Sequence, residues 1–163
     1  MRRVGLLFLA LMVPLPATAA WQSIQTLSPV DDSIKVAIIV EANSEHSDRH
    51  GKTGRANLQI ICEENTTILA LVFPGLWMSD LDSRSVVLRT DKRPAADIAM
   101  IASSDHSSLA VTGGKAIRHL KQMLGGSNLF VRATPVNEAT KDFWFDISGI
   151  DAALKPVRKA CSW

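Results

Sequence analysis

Hydrophobic and polar residues in this chain alternate in short bursts, the period-two signature of strands half buried in a sheet. Ile34–Ala42 is a β-branched apolar run with Lys35 near its start, and it reads as a well-buried strand. In Ala56–Glu63, Leu58, Ile60 and Cys62 share one face while Asn57, Gln59 and Ile61 share the other. Cys62 is therefore expected on the inward face. Thr67–Phe73 forms the next strand, and Glu63-Glu64-Asn65-Thr66 has the right length to join the two as a hairpin. Further strands are predicted over Arg84–Thr90, Ala96–Ser103, Leu109–Val111, Leu129–Thr134 and Phe143–Ile147, with Phe143 and Phe145 facing opposite to Trp144. Pro74-Gly75, Asp91–Pro94 and Ser104–Ser107 punctuate them as turns.

Two segments switch to helical spacing. Lys115–Leu124 places Ala116, Ile117, Leu120, Met123 and Leu124 on one face, and Gly125-Gly126 stops it. Gly149–Ala160 follows with Ser148 as the expected N-cap, but Pro156 breaks it into a short helix to about Lys155 and a second turn. Trp21–Asp32 reads as a lead-in. Asn43–Arg55 has no large apolar residue and reads as a solvated loop. Strands without βαβ alternation predict a mainly β fold, an antiparallel β-sandwich-like domain with two short helices. The alternative is an α+β fold with one antiparallel sheet.

The first 20 residues stand apart. Arg2 and Arg3 precede the apolar run Val4–Leu15, and Pro14 and Pro16 lead into Ala17-Thr18-Ala19-Ala20. This is the pattern of a secretory signal peptide cleaved after Ala19 or Ala20, leaving residues 21–163 as a single exported domain. No later stretch approaches the ~20 apolar residues of a membrane span. The leader also carries the charge excess. The chain has 18 basic and 16 acidic side chains, and without Arg2 and Arg3 it has 16 of each. A near-neutral domain offers no global electrostatic attraction for nucleic acid. Its two cysteines, Cys62 and Cys161, are most simply a structural disulfide in the periplasm, with free thiols or a partner-linked cysteine as alternatives.

Candidate chemistry is sparse. His46 and His50, four apart, could ligate zinc on a helix, but their segment has no apolar face to hold one. Ser104-Asp105-His106-Ser107 contains the residue types of a triad without a nucleophile elbow, and reads as a turn. Gly113-Gly114-Lys115 lacks the rest of a phosphate loop. No cofactor, metal site or catalytic residue is predicted. Arg89, Asp91 and Arg132 remain as weak binding candidates, because half-buried charges on or beside strands need partners, in the protein or outside it.

The last third of the chain is the recognisable part. Leu129–Glu138 (L-F-V-R-A-T-P-V-N-E) and Phe145–Trp163 (F-D-I-S-G-I-D-A-A-L-K-P-V-R-K-A-C-S-W) resemble the type VI secretion system-associated TagO family, also called VasI. Trp21, Leu58–Cys62, Arg89–Ala95 and Ile117–Lys121 agree in order. The resemblance implies an exported accessory protein without established enzymatic activity, and it places both cysteines at the family's positions. Leu76-Trp77-Met78-Ser79 and the loop Asn43–Arg55 depart from the family pattern. The expected function is protein binding to an envelope or secretion-system partner. A periplasmic inhibitor or immunity-type protein against a cell-wall hydrolase is the second expectation, with Asn43–Arg55 as its protruding loop.

Overall fold

The computed structural model describes residues 21–28, 32–80 and 83–163. The leader expected over residues 1–20 lies outside them. The strands are β1 (Gln22–Leu27), β2 (Ile34–Glu41), β3 (His46–Ser47), β4 (Thr53–Gly54), β5 (Asn57–Glu63) and β6 (Thr66–Val72). They continue as β7 (Ser83–Thr90), β8 (Ala96–Ala102), β9 (Ser108–Thr112), β10 (Asn128–Ala133) and β11 (Lys141–Asp146). Three short helices, α1 (Gly113–Met123), α2 (Ile150–Ala153) and α3 (Lys155–Ala160), complete the fold.

The mainly β, antiparallel class read from the sequence is the one observed. Nine strands form a single sheet in the order β1-β2-β5-β6-β9-β8-β7-β10-β11, and every pairing is antiparallel. The sheet curls until the chain leaving β2 reaches β11: a single bridge joins Ala42 to Phe145, and the Asn43 amide donates to the Trp144 carbonyl at 2.7 Å. The two halves therefore face each other across one core, as in a sandwich, with that isolated bridge linking the end of β2 to β11. Inward alternation fills that core with Val36, Ile38, Leu58, Ile60, Leu69, Leu71, Leu129, Val131, Phe143 and Phe145. Phe73 and Phe143 meet across it with ring centroids 4.9 Å apart.

The helices gather at one end. α1 leaves β9 and buries Ala116, Leu120 and Met123. From α3, Cys161 is disulfide-bonded to Cys62, with Cα atoms 5.7 Å apart. The opposite end is closed by the segment after β6, where Phe73, Leu76 and Met78 are buried. The Met78 amide donates to the His106 carbonyl at 2.7 Å, and the Val136 amide donates to the Trp77 carbonyl at the same distance.

Three local expectations are corrected. Residues 22–27 of the lead-in form a strand whose six residues are all exposed. Its backbone ladder on β2 holds it, so no buried face marks it in the sequence. Asn43–Arg55 is not a free loop. Its hairpin β3–β4 lies back on the barrel, with the His46 ring edge-on to Phe143 at 5.6 Å and its Nε2 2.9 Å from the Pro74 carbonyl oxygen. Finally, the N-cap of α2 is Gly149, at φ +79°, while Ser148 donates its amide to Asp146 Oδ1 at 2.9 Å. Left-handed backbone at that position suits glycine and strains serine. Leu154 separates α2 from α3, so Pro156 falls in the first turn of α3, where its missing N–H costs nothing.

Candidate functional site

β10 and β11 alternate strictly, so the residues that do not enter the core stand in rows on the outside of the sheet. Leu129, Val131 and Ala133 are buried on β10, and Phe143 and Phe145 on β11. The outward rows follow from register. Trp144 lies opposite Phe130, which lies opposite Arg89; in the next row Asp142 faces Arg132, which faces Val87. Trp144 is 50% exposed, and its ring centroid is 4.9 Å from that of Phe130. The Arg132 guanidinium carbon sits 5.4 Å from the Phe130 centroid.

Two of the three binding candidates thus meet on one surface. Arg132 forms a bidentate pair with Asp142, from its Nε to Oδ1 and from a terminal nitrogen to Oδ2, both at 2.7 Å. Those hydrogen bonds raise the Arg132 pKa and lower that of Asp142. Arg89 donates its Nε to the Arg93 carbonyl at 3.0 Å. Asp91 stands apart from this surface and fastens backbone. Its carboxylate accepts the amides of Asn128, at 2.9 Å, and Ser127, at 3.2 Å, and the Asn128 amide is the first cause of its lowered pKa. The φ of Asp91 is +50°, so it also shapes the β7–β8 turn.

The other candidates resolve into turns. The Asp105 carboxylate accepts from the Ser103 and Ser107 hydroxyls and the Ser107 amide, which pulls its pKa down to about 2, Ser103 contributing most. His106 stacks on Trp77 at 4.2 Å, and the Trp77 indole donates to Asp80 at 2.5 Å. Asp48 accepts the amides of His50 and Lys52 across the β3–β4 turn, and the Lys52 amide leads in lowering its pKa. Among the described residues no group of three His, Cys, Asp or Glu side chains converges to hold a metal ion.

What the outer rows offer is a half-exposed tryptophan on a partly buried phenylalanine, flanked by guanidinium groups, the composition of contact centres in protein interfaces. Sequence reading placed Trp144 opposite to Phe143 and Phe145 but did not join it to Phe130. The signal was the outward tryptophan itself, a residue of a type usually found largely buried.

Comparisons with known proteins agree with this architecture. No curated protein sequence matches the chain significantly. The crystal structure of invasion associated protein B from Bartonella henselae is similar, with a TM-score of 0.57 over 91% of this chain and 98% of that one. At 11% identity the likeness is one of fold. The family described as type VI secretion system VasI, EvfG, VC_A0118 matches residues 11–163. With nearly the whole length matched and both cysteines joined, the chain belongs to the VasI family of type VI secretion.

Proposed function

We propose that this protein is an exported, periplasmic accessory component of a type VI secretion system or a related envelope process, acting by binding an envelope protein. Family membership and the Cys62–Cys161 disulfide support an oxidising, exported setting. The observation that carries the binding role is the Trp144–Phe130–Arg89 row with the Arg132–Asp142 pair beside it. Aromatic rings that pack together without entering the core offer contact area at low entropy cost, and desolvating them against a partner is favourable. The hydrolase-inhibitor reading would draw on a protruding loop. Asn43–Arg55 instead lies against the barrel through His46, and Lys141 Nζ donates to the Ser47 carbonyl at 2.7 Å.

Crosslinking in the periplasm followed by capture of the tagged chain tests the surface. Trp144→Ala and Phe130→Ala should each weaken recovery of a specific crosslinked protein by about tenfold or more, a loss typical of a contact centre. Both variants should melt with the parent, since neither side chain enters the core. Undiminished recovery from both would rule out this surface.

A further inference from the structure

The large sheet has two edge strands, and they are treated differently. β11 carries Lys141, Asp142 and Asp146, and the chain leaving β2 lies along it. There the Asn43 amide donates to the Trp144 carbonyl at 2.7 Å, and Asn43 Oδ1 accepts the Asp146 amide at 3.1 Å. β1, at the other end of the strand order, pairs with β2, and among the described residues no strand pairs with its other side. Its sequence, Gln22-Ser23-Ile24-Gln25-Thr26-Leu27, has no charge and no proline, and its six pairs with β2 run without a bulge. Charges, proline and bulges are what blunt an edge against a further strand, so β1 is left as an open template. It is also held in place, because the Trp21 indole donates to the Ser148 carbonyl at 3.2 Å.

The backbone sets the class of occupant. A row of alternating amides and carbonyls is matched along its length by an extended polypeptide strand. The side chains then select β1 of a second copy. Antiparallel pairing about a two-fold axis at Ile24 sets Ile24 against its counterpart, Ser23 against Gln25 and Gln22 against Thr26. No charge opposes a like charge in that register. Leu27, 66% exposed, comes level with Trp21 of the other copy. On the outer face Ile24 lies opposite Ala37, Ala37 opposite Ile61, and Ile61 opposite Ile68. Joining two copies at the half-exposed Ile24 makes this aliphatic row continuous from one Ile68 to the other. Head-to-tail pairing of β1 with β11 is blocked by the Asn43 segment, so the assembly closes at two.

We propose that β1 is a dimerisation edge, through which two copies of this chain pair antiparallel about Ile24. One strand ladder about 20 Å long buries less than the ~800 Å² per partner of a standard interface, so the dimer is weak and forms with concentration.

The test is sedimentation of the disulfide-bonded chain recovered from the periplasm, from low micromolar to submillimolar concentration. The mass should rise reversibly from monomer to dimer and stop there. Ile24→Lys sets two ammonium groups across the axis and should raise the dimer Kd by about tenfold or more, with the melting temperature of the monomer unchanged. Crosslinking reads the register independently of that variant. Under mild oxidation Ile24→Cys should join two copies through residue 24. Thr26→Cys should not, because its counterpart lies four strand positions away, about 13 Å. The proposal is overturned by a monomer at every concentration, by a dimer that Ile24→Lys leaves intact, or by equal crosslinking of the two cysteine variants. It is overturned equally if the pure chain stays monomeric and β1 is crosslinked in the periplasm to a different protein.

Discussion

Single residues in this protein hold turns more than they perform chemistry, and their acidity reports it. Asp105 is the strongest case, its carboxylate held at about 2 by the Ser103 and Ser107 hydroxyls and the Ser107 amide. The ordinary value is 3.8, so the folded chain prefers the ionised form. That preference stabilises the fold fully above the ordinary value and is lost as pH falls from there through about 2. Asp105→Asn keeps the turn geometry and cannot titrate. The parent should therefore lose more melting temperature than the variant between about pH 5 and pH 2. Equal losses would show that the turn does not couple to protonation. Comparing against the variant is essential, because Asp48, Asp91 and Asp142 also have lowered values and contribute to acid sensitivity in both proteins.

At the level of elements, the hairpin β3–β4 shows where sequence reading stops. Its residues are polar, so hydrophobic periodicity is silent about it, and its docking rests on a carbonyl, an imidazole and a glycine. A Cβ at Gly54 would lie 2.5 Å from the Pro74 carbonyl oxygen and 3.2 Å from His46 Nε2. Gly54→Ala must push the hairpin off the barrel end or shift the Pro74 segment, at an expected cost of about 1–3 kcal/mol. Urea unfolding checks it, and an unchanged midpoint would mean that the hairpin is not docked in solution. By contrast, β2, β5, β6, β10 and β11 were legible because each buries alternate side chains, and the Glu64-Asn65 turn was legible from its length. In the observed turn both of those residues have positive φ, as a two-residue hairpin connection with matching twist requires. β1 was invisible for the opposite reason, since a strand with no buried side chain has no pattern to read. Of the binding candidates, Arg89 and Arg132 were found as charges on strands, while Phe130 and Trp144 needed the register between β10 and β11.

On the scale of the whole molecule, the C-terminal segment closes the barrel end and links fold to compartment. Ile150, Leu154 and Val157 are buried under the sheet, and Cys161 then joins Cys62 across 99 residues of chain. Closing a loop of that length stabilises the folded state by up to ~4.7 kcal/mol on the chain-entropy model. That contribution exists only where thiols oxidise, so the place of synthesis should set the stability of the product. Full-length chain recovered from the periplasm should resist alkylation until reduced, whereas residues 21–163 made in a reducing cytoplasm should label at both cysteines. The reduced form should unfold at lower urea, by about 2–5 kcal/mol, and oxidation in vitro should restore the difference. Matching midpoints for the two preparations would mean that α2 and α3 hold their place by packing alone. Ready alkylation of the exported chain would instead remove the main structural support for a periplasmic setting.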